Sequence, residues 1–381
     1  MDRFFPLATL QPVVNPRDRW VALWARLARC DAAGLAAVFG DADVFAALSP
    51  LDLILSVPRL DALTEPVRRL LPPARTVFAI DAPALADPAC LGQLGELGAA
   101  GYRVVVDVTQ SIDSWGLHHL YGQALDCRAA EPEGLTLAPL SGPHFAYGVD
   151  DHALRARCLD AGVHWLSGAY PVHEPAEVAA PARARVLDLL ELIARDPPDD
   201  ALEAELQRDP VLSYHLLRQV NAPASAPPQR IDGADQALDL LGRAKLERWL
   251  QLLLYARRDL DERPSLLLPL AAQRAAQMEA LCRLRGGDVA QQEQAFMAGV
   301  FSLLDVQLGL PMAGIADAVR LPSAVADALL TRSGDLGQLL ALSETPAPEQ
   351  GALDGSGVDE RMWWESQLHA YRWAIQVAAN L

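Results

Sequence analysis

The chain has 381 residues, 51% of them hydrophobic, with 32 Lys and Arg against 49 Asp and Glu and a formal net charge of −17. That is enough apolar material for two cores, which excludes global disorder and makes a single ordinary helical domain too small an answer. So acidic a surface repels phosphate backbones and anionic headgroups, so neither nucleic acid nor membrane is expected as a partner.

The N-terminus, MDRFFPLATLQPVV, has no basic region followed by a long apolar core, and no apolar run approaches the ~20 residues of a membrane span. A cytoplasmic location is expected. Residues 1–170 alternate short apolar runs with helical patterns. Expected strands are Thr9–Val14, Leu51–Leu55, Thr76–Ile80, Arg103–Val108, Gln123–Asp126, Leu135–Ala138, His144–Val149 and His164–Ser167. Expected helices include Arg17–Phe39, Asp87–Ala100 and Asp151–Ala161. Such alternation predicts a parallel sheet, and about eight strands suggest a closed, somewhat irregular barrel.

Pro171–Arg185 holds three prolines and no long apolar stripe, the composition of a linker. The boundary is placed at 178, with a barrel over 1–178 and a helical domain over 179–381. Asp209–Pro210 has the form of a helix start, and Val211, Leu212, Leu216, Leu217 and Val220 share one stripe that Asn221 can close. Gly242 stops a second helix, and Arg243–Trp249 begins a third. Helical patterns continue over Leu266–Leu284 and Gln292–Leu304. Thr345–Gly357 is expected to be a polar loop, and Met362–Ala379 a last helix whose Trp363, Tyr371 and Trp373 are expected in the core.

Few residues suggest chemistry by themselves. Cys30, Cys90, Cys127, Cys158 and Cys282 are scattered, lack zinc or redox spacing, and are expected to be buried thiols. Adjacent His118 and His119 point apart on a helix, and Asp150–Asp151–His152 suits a helix cap better than a metal. Gly92, Gly95, Gly98 and Gly101 do not directly follow a strand, so a closely packed helix explains them better than a phosphate loop. Asp113–Ser114–Trp115 is expected to be a loop with a packing Trp.

Two family resemblances add to this. Asp209, Pro210, Leu212, Ser213, Leu217, Asn221, Leu241, Gly242 and Trp249 lie at the spacing of the HDOD domain of bacterial signalling proteins. Phe296–Asp305 resembles the HDOD subgroup that follows a degenerate EAL domain, with Ser302–Leu303–Leu304–Asp305 where true HD domains carry a His-Asp step. The N-terminal half resembles the EAL domain, a barrel that hydrolyses cyclic di-GMP with divalent metals. The resemblance rests on Leu10–Val14, Gly101–Asp107, Tyr147–Asp150 and Ser167–Tyr170. It implies that the ligands are gone: the EAL signature becomes Trp24–Ala25–Arg26–Leu27–Ala28, so Trp24 replaces the metal-binding Glu and Ala28 the substrate-contacting Arg. Leu55, Ala79, Val108 and Ala124 stand at further lost positions, while Gln11, Pro12, Asp107 and Asp126 are vestigial ligand contacts. Asp150 replaces another Glu.

The expected protein is therefore α/β plus all-α, a degenerate EAL-like (β/α) TIM-type barrel followed by an HDOD domain. It has no catalytic residues, no metal and no cofactor, and acts as a signalling regulator or scaffold whose partners are other signalling proteins. Two rivals remain: a receptor that binds cyclic di-GMP without cleaving it, and a residual phosphodiesterase.

Overall fold

The computed structural model describes residues 5–40, 43–107, 120–129, 137–173, 234–255, 265–319 and 321–380, with isolated positions 188, 192, 198, 216, 220 and 231. Val108, Asp113–Trp115, His118–His119 and the signature residues Asp209, Pro210, Leu212, Ser213, Leu217 and Asn221 lie outside them. Two compact units emerge, Met1–Glu174 with Thr345–Leu368, and Pro175–Glu344 with His369–Leu381.

The first unit is a closed barrel of strands in sequential order: β1 (Ala8–Val14), β2 (Trp20–Leu27), β3 (Asp52–Ser56), β4 (Thr76–Asp81), β5 (Arg103–Asp107), β6 (Gly122–Asp126), β7 (His144–Tyr147) and β8 (Val163–Ser167). From β2 to β8 neighbouring strands are parallel, whereas β1 runs antiparallel to both β2 and β8. The outer layer includes α1 (Ala32–Gly40), α2 (Pro88–Ala99) and α3 (His152–Asp160). Asp151 caps α3 by accepting the Leu154 N–H at 2.6 Å, as its place before the helix suggests.

Two expected elements differ. The first part of the expected helix Arg17–Phe39 is instead β2. Its segment WVALWARL is buried along both faces, so the period-2 alternation is hidden and strong helix formers dominate the local signal. The hairpin before it is held by Asn15, whose Oδ1 accepts the N–H groups of Arg17 and Arg19 at 2.9 and 3.1 Å. Closure of the barrel then overrides helix propensity. Conversely, the expected strand Leu135–Ala138 is absent at its described residues, Leu137 and Ala138.

Inside the barrel, Val13, Ala22, Trp24, Ile54, Val77, Ala79, Val105, Ala124 and Phe145 form one core cluster. β1 meets β8 only at Val14↔Leu166. Nearer the start of β1 a side chain takes over. Gln367 accepts the Leu10 N–H at 2.8 Å and donates to the Ala8 carbonyl at 3.0 Å. Thr345–Leu368 groups with the barrel strands in one compact unit.

The second unit is helical: α4 (Ala234–Leu241), α5 (Arg243–Leu253), α6 (Leu267–Leu284), α7 (Val289–Phe301), α8 (Leu304–Leu308), α9 (Met312–Val319), α10 (Ser323–Thr331) and α11 (Gly334–Glu344). Within the expected polar loop Thr345–Gly357 lies a short helix, α12 (Gln350–Gly355), and α13 (Glu360–Asn380) ends the fold. Trp363 and Tyr371 are buried, while Trp373 is half-buried with its ring 5.5 Å from that of Phe296. Asp288 and Gln291 form a reciprocal capping box at the start of α7. The α6–α7 crossing is close because residue 299 is Gly: a Cβ there would sit 2.5 Å from the Ala275 Cα. Gly299→Ala should therefore cost about 1–3 kcal/mol by forcing the helices apart. The check is the urea midpoint of the helical transition, which should fall; an unchanged midpoint would show that the crossing has slack. Among the described residues, no helix is long and apolar enough to cross a membrane.

Candidate functional site at the barrel mouth

Strand alternation determines which side chains reach the interior. In the β1–β2 hairpin, Val13 opposes Ala22, Gln11 opposes Trp24 and Thr9 opposes Arg26, so these pairs share the inner face. Pro12 opposes Leu23 on the outer face, which separates it from the other expected contacts. At the C-terminal ends of the parallel strands the same parity selects Ser56, Asp81, Asp107, Asp126, Tyr147 and Ser167. β5 Asp107 is in register with β4 Asp81 and with β6 Ala124, and β6 Asp126 with β7 Tyr147. The C-terminal rim is where barrels of this kind carry their chemistry.

The centre of this end is aromatic. Trp24 is only 5% exposed; its ring lies 4.5 Å from Tyr147 and 5.5 Å from Phe145, and its Nε1–H donates to the Ser56 Oγ at 2.8 Å. Ala79 and Ala124 pack in the same cluster. Leu55 is fully buried on the outer face, and the interior polar residue at this level is Ser56. Ala28 lies just beyond β2, donating its N–H to the Leu7 carbonyl.

The polar groups left at the mouth are tied to one another. The Tyr147 hydroxyl donates to the Asp107 carboxylate. Burial pushes the Asp107 carboxyl above the usual carboxylate range; the Tyr147 bond counters this, and the nearby Asp81 and Asp126 charges push it further up. Burial and Asp107 likewise raise the Tyr147 phenol. Arg26 places its guanidinium over the Trp24 ring, 4.4 Å from the centroid. Burial and then Arg128 depress its pKa, while Tyr147 and Asp126 support its charge. The sequence carries no signal for Arg26, because the helical composition of its segment hides the strand face it shares with Trp24.

Asp150 sits apart from Asp107. Its Oδ2 accepts from Arg128 at 3.2 Å and its Oδ1 accepts the Ala169 N–H at 3.2 Å, bracing the turn after β8. Gly168 in that turn is obligatory, since a Cβ would lie 1.9 Å from the Val149 carbonyl oxygen. Among the described residues no group of three or more His, Cys, Asp or Glu is placed to share a metal ion.

Asp107 yields a pH prediction. A carboxyl raised above its unfolded value of about 3.9 contributes stability that is fully present below that value and lost as pH rises through the folded pKa. Asp107→Asn removes the titration, while its Oδ1 can still accept from Tyr147. Compared with the native chain, the variant should gain stability as pH rises from the acid side toward neutrality. Paired urea titrations at acid and neutral pH check this, and a pH-independent difference would contradict the assignment.

In the helical unit, the HDOD family model matches residues 183–305. The chain carries an HDOD domain. Of its signature residues, Gly242 separates α4 from α5 with φ 74°, Leu241 is half-buried, and Trp249 is buried in α5. At the HDOD residue Ser302 stands a cation rather than a metal-binding group. Arg274 donates to the Ser302 Oγ at 2.8 Å and lies 3.4 Å from Glu344, which also pairs with Arg332 at 2.8 Å. Burial lowers the Arg274 pKa, and Glu344 does most to support its charge.

The cyclic di-GMP phosphodiesterase CdgJ of Vibrio cholerae is 35% identical over 185 residues, covering 46% of this chain and 41% of that protein. The uncharacterised protein YuxH of Bacillus subtilis is 27% identical over 194 residues, covering 49% and 46%. The aligned stretches thus span less than half the length of these curated relatives. The N-terminal region resembles EAL-domain structures in fold. One of these, the c-di-GMP-bound form of a standalone versatile EAL protein from Vibrio cholerae O395, has 16% identity and a TM-score of 0.33, covering 45% of this chain and 92% of that one.

Proposed function

We propose that this chain is a non-catalytic regulator or scaffold in a bacterial cyclic di-GMP network, one linked to motility or stress, working through contacts with other signalling proteins. The observation that carries the reading is Trp24. Hydrolysis of a phosphodiester by an EAL barrel needs two divalent metals held by hard oxygen ligands that activate water. The resemblance puts such a ligand at residue 24, where an indole now fills the interior against Tyr147 and Phe145. The Asp107 carboxylate is engaged by the Tyr147 phenol, and burial holds its pKa above the usual carboxylate range. The Arg274–Ser302–Glu344 network supports the same reading for the helical unit.

A second reading, a receptor that binds cyclic di-GMP without cleaving it, is favoured by Arg26. Its guanidinium stacks on Trp24, and its buried Nε has no hydrogen-bond partner among the described residues. Such a group suits a phosphate.

The regulator reading is tested by photo-crosslinking from the exposed HDOD positions Leu240 and Val289, which are 46% and 70% exposed. One defined protein should be captured in cells of the source organism, and surface substitutions around these positions should abolish that capture. Absence of a reproducible adduct from either position would overturn the reading.

A further inference from the structure

Cys127 and Cys158 are thirty-one positions apart in sequence, and neither belongs to a redox motif. The barrel brings their Sγ atoms to 3.6 Å. Cys127 directly follows β6, where its N–H donates to the Tyr147 carbonyl at 2.9 Å, and Cys158 lies on α3. Cys158 is fully buried and Cys127 half-buried, so the expectation of five buried thiols fails at Cys127 and also at the half-buried Cys30. Cys30 faces no such partner; its thiol donates to the Ser56 carbonyl at 3.3 Å.

We propose that Cys127 and Cys158 are an oxidation site, a dithiol that closes to an intramolecular disulfide tying the end of β6 to α3. A disulfide needs the sulfurs at about 2.05 Å, so closure requires a contraction of roughly 1.5 Å. The proximity is specific: no third His, Cys, Asp or Glu among the described residues joins the pair to make a metal site. The bond would brace the strand end next to Arg128 and Asp150, whose ion pair stands beside the mouth.

A hydroperoxide is the oxidant class that fits. The more accessible Cys127 sulfur attacks a peroxide oxygen, the O–O bond breaks, and the thiol proton leaves with the departing oxygen as water or alcohol. Cys127 is then a sulfenic acid. The Cys158 sulfur attacks the Cys127 sulfur, the S–O bond breaks, and hydroxide leaves with the Cys158 proton as water. Two thiols have together lost two electrons and the hydroperoxide has gained them.

The experiment treats the full-length protein with hydrogen peroxide under native conditions, then denatures it and labels the remaining thiols with a maleimide. Labelled thiols should fall from five to three and return to five after dithiothreitol. Peptide mapping should recover a Cys127–Cys158 linkage, and the oxidised protein should melt several degrees higher. In Cys158→Ser, oxidation should stop at a dimedone-reactive Cys127. Retention of five thiols after peroxide, or loss of two that maps to any other pair, would overturn the proposal.

Discussion

Trp24→Ala should destabilise the barrel unit by about 3–5 kcal/mol, the range for removing a large aromatic side chain from a packed interior. The indole is 5% exposed and is the hub of an aromatic group with Tyr147 and Phe145. Its removal opens a cavity among Ile54, Ala79 and Ala124 that those strands cannot collapse to fill, because barrel closure fixes their spacing. The Ser56 hydroxyl loses its donor and Arg26 loses the ring beneath it. Trp24→Phe keeps most of the packing and forfeits the Ser56 bond, so it should cost distinctly less. Urea unfolding followed through the barrel transition separates the two. Equal, small losses would mean that the indole is not the core element described above.

The second large effect is expected at Gln367. Its side-chain amide acts as the missing neighbour strand for β1, accepting from the Leu10 N–H and donating to the Ala8 carbonyl, in a place where Gln367 itself is 2% exposed. Gln367→Leu has similar volume but leaves both backbone groups without this partner. Each unsatisfied buried group costs about 1–3 kcal/mol, so the variant should lose about 2–6 kcal/mol. Hydrogen exchange adds a local readout: the Leu10 amide should lose protection ahead of the rest of β1. Unchanged protection there would show that water or another group takes over.

The barrel could be read from the sequence because most strands are short apolar runs bounded by turn residues and separated by helices. What failed did so for local reasons. β2 was hidden because both of its faces are buried, leaving WVALWARL with a helical composition and no visible alternation. The same effect hides the inner face of β3, since in a strand flanked by core on both sides nothing in the pattern shows that Ser56 rather than Leu55 points inward. The reading of Trp24 as a replaced ligand rests on its family spacing from Gln11 and Pro12 and does not depend on the element its segment forms. Arg26 and the Tyr147–Asp107 bond could not be foreseen without the strand register. Gln367 and the Cys127–Cys158 pair depend on contacts across 357 and 31 positions, for which a single sequence carries no signal.

The proposed loss of chemistry at Trp24 and around Asp107 makes a direct prediction. Incubating the purified full-length protein with cyclic di-GMP and magnesium or manganese, then separating the nucleotides by chromatography, tests it directly. The account predicts no linear dinucleotide above a protein-free control. Linear product that accumulates in proportion to protein concentration would contradict it.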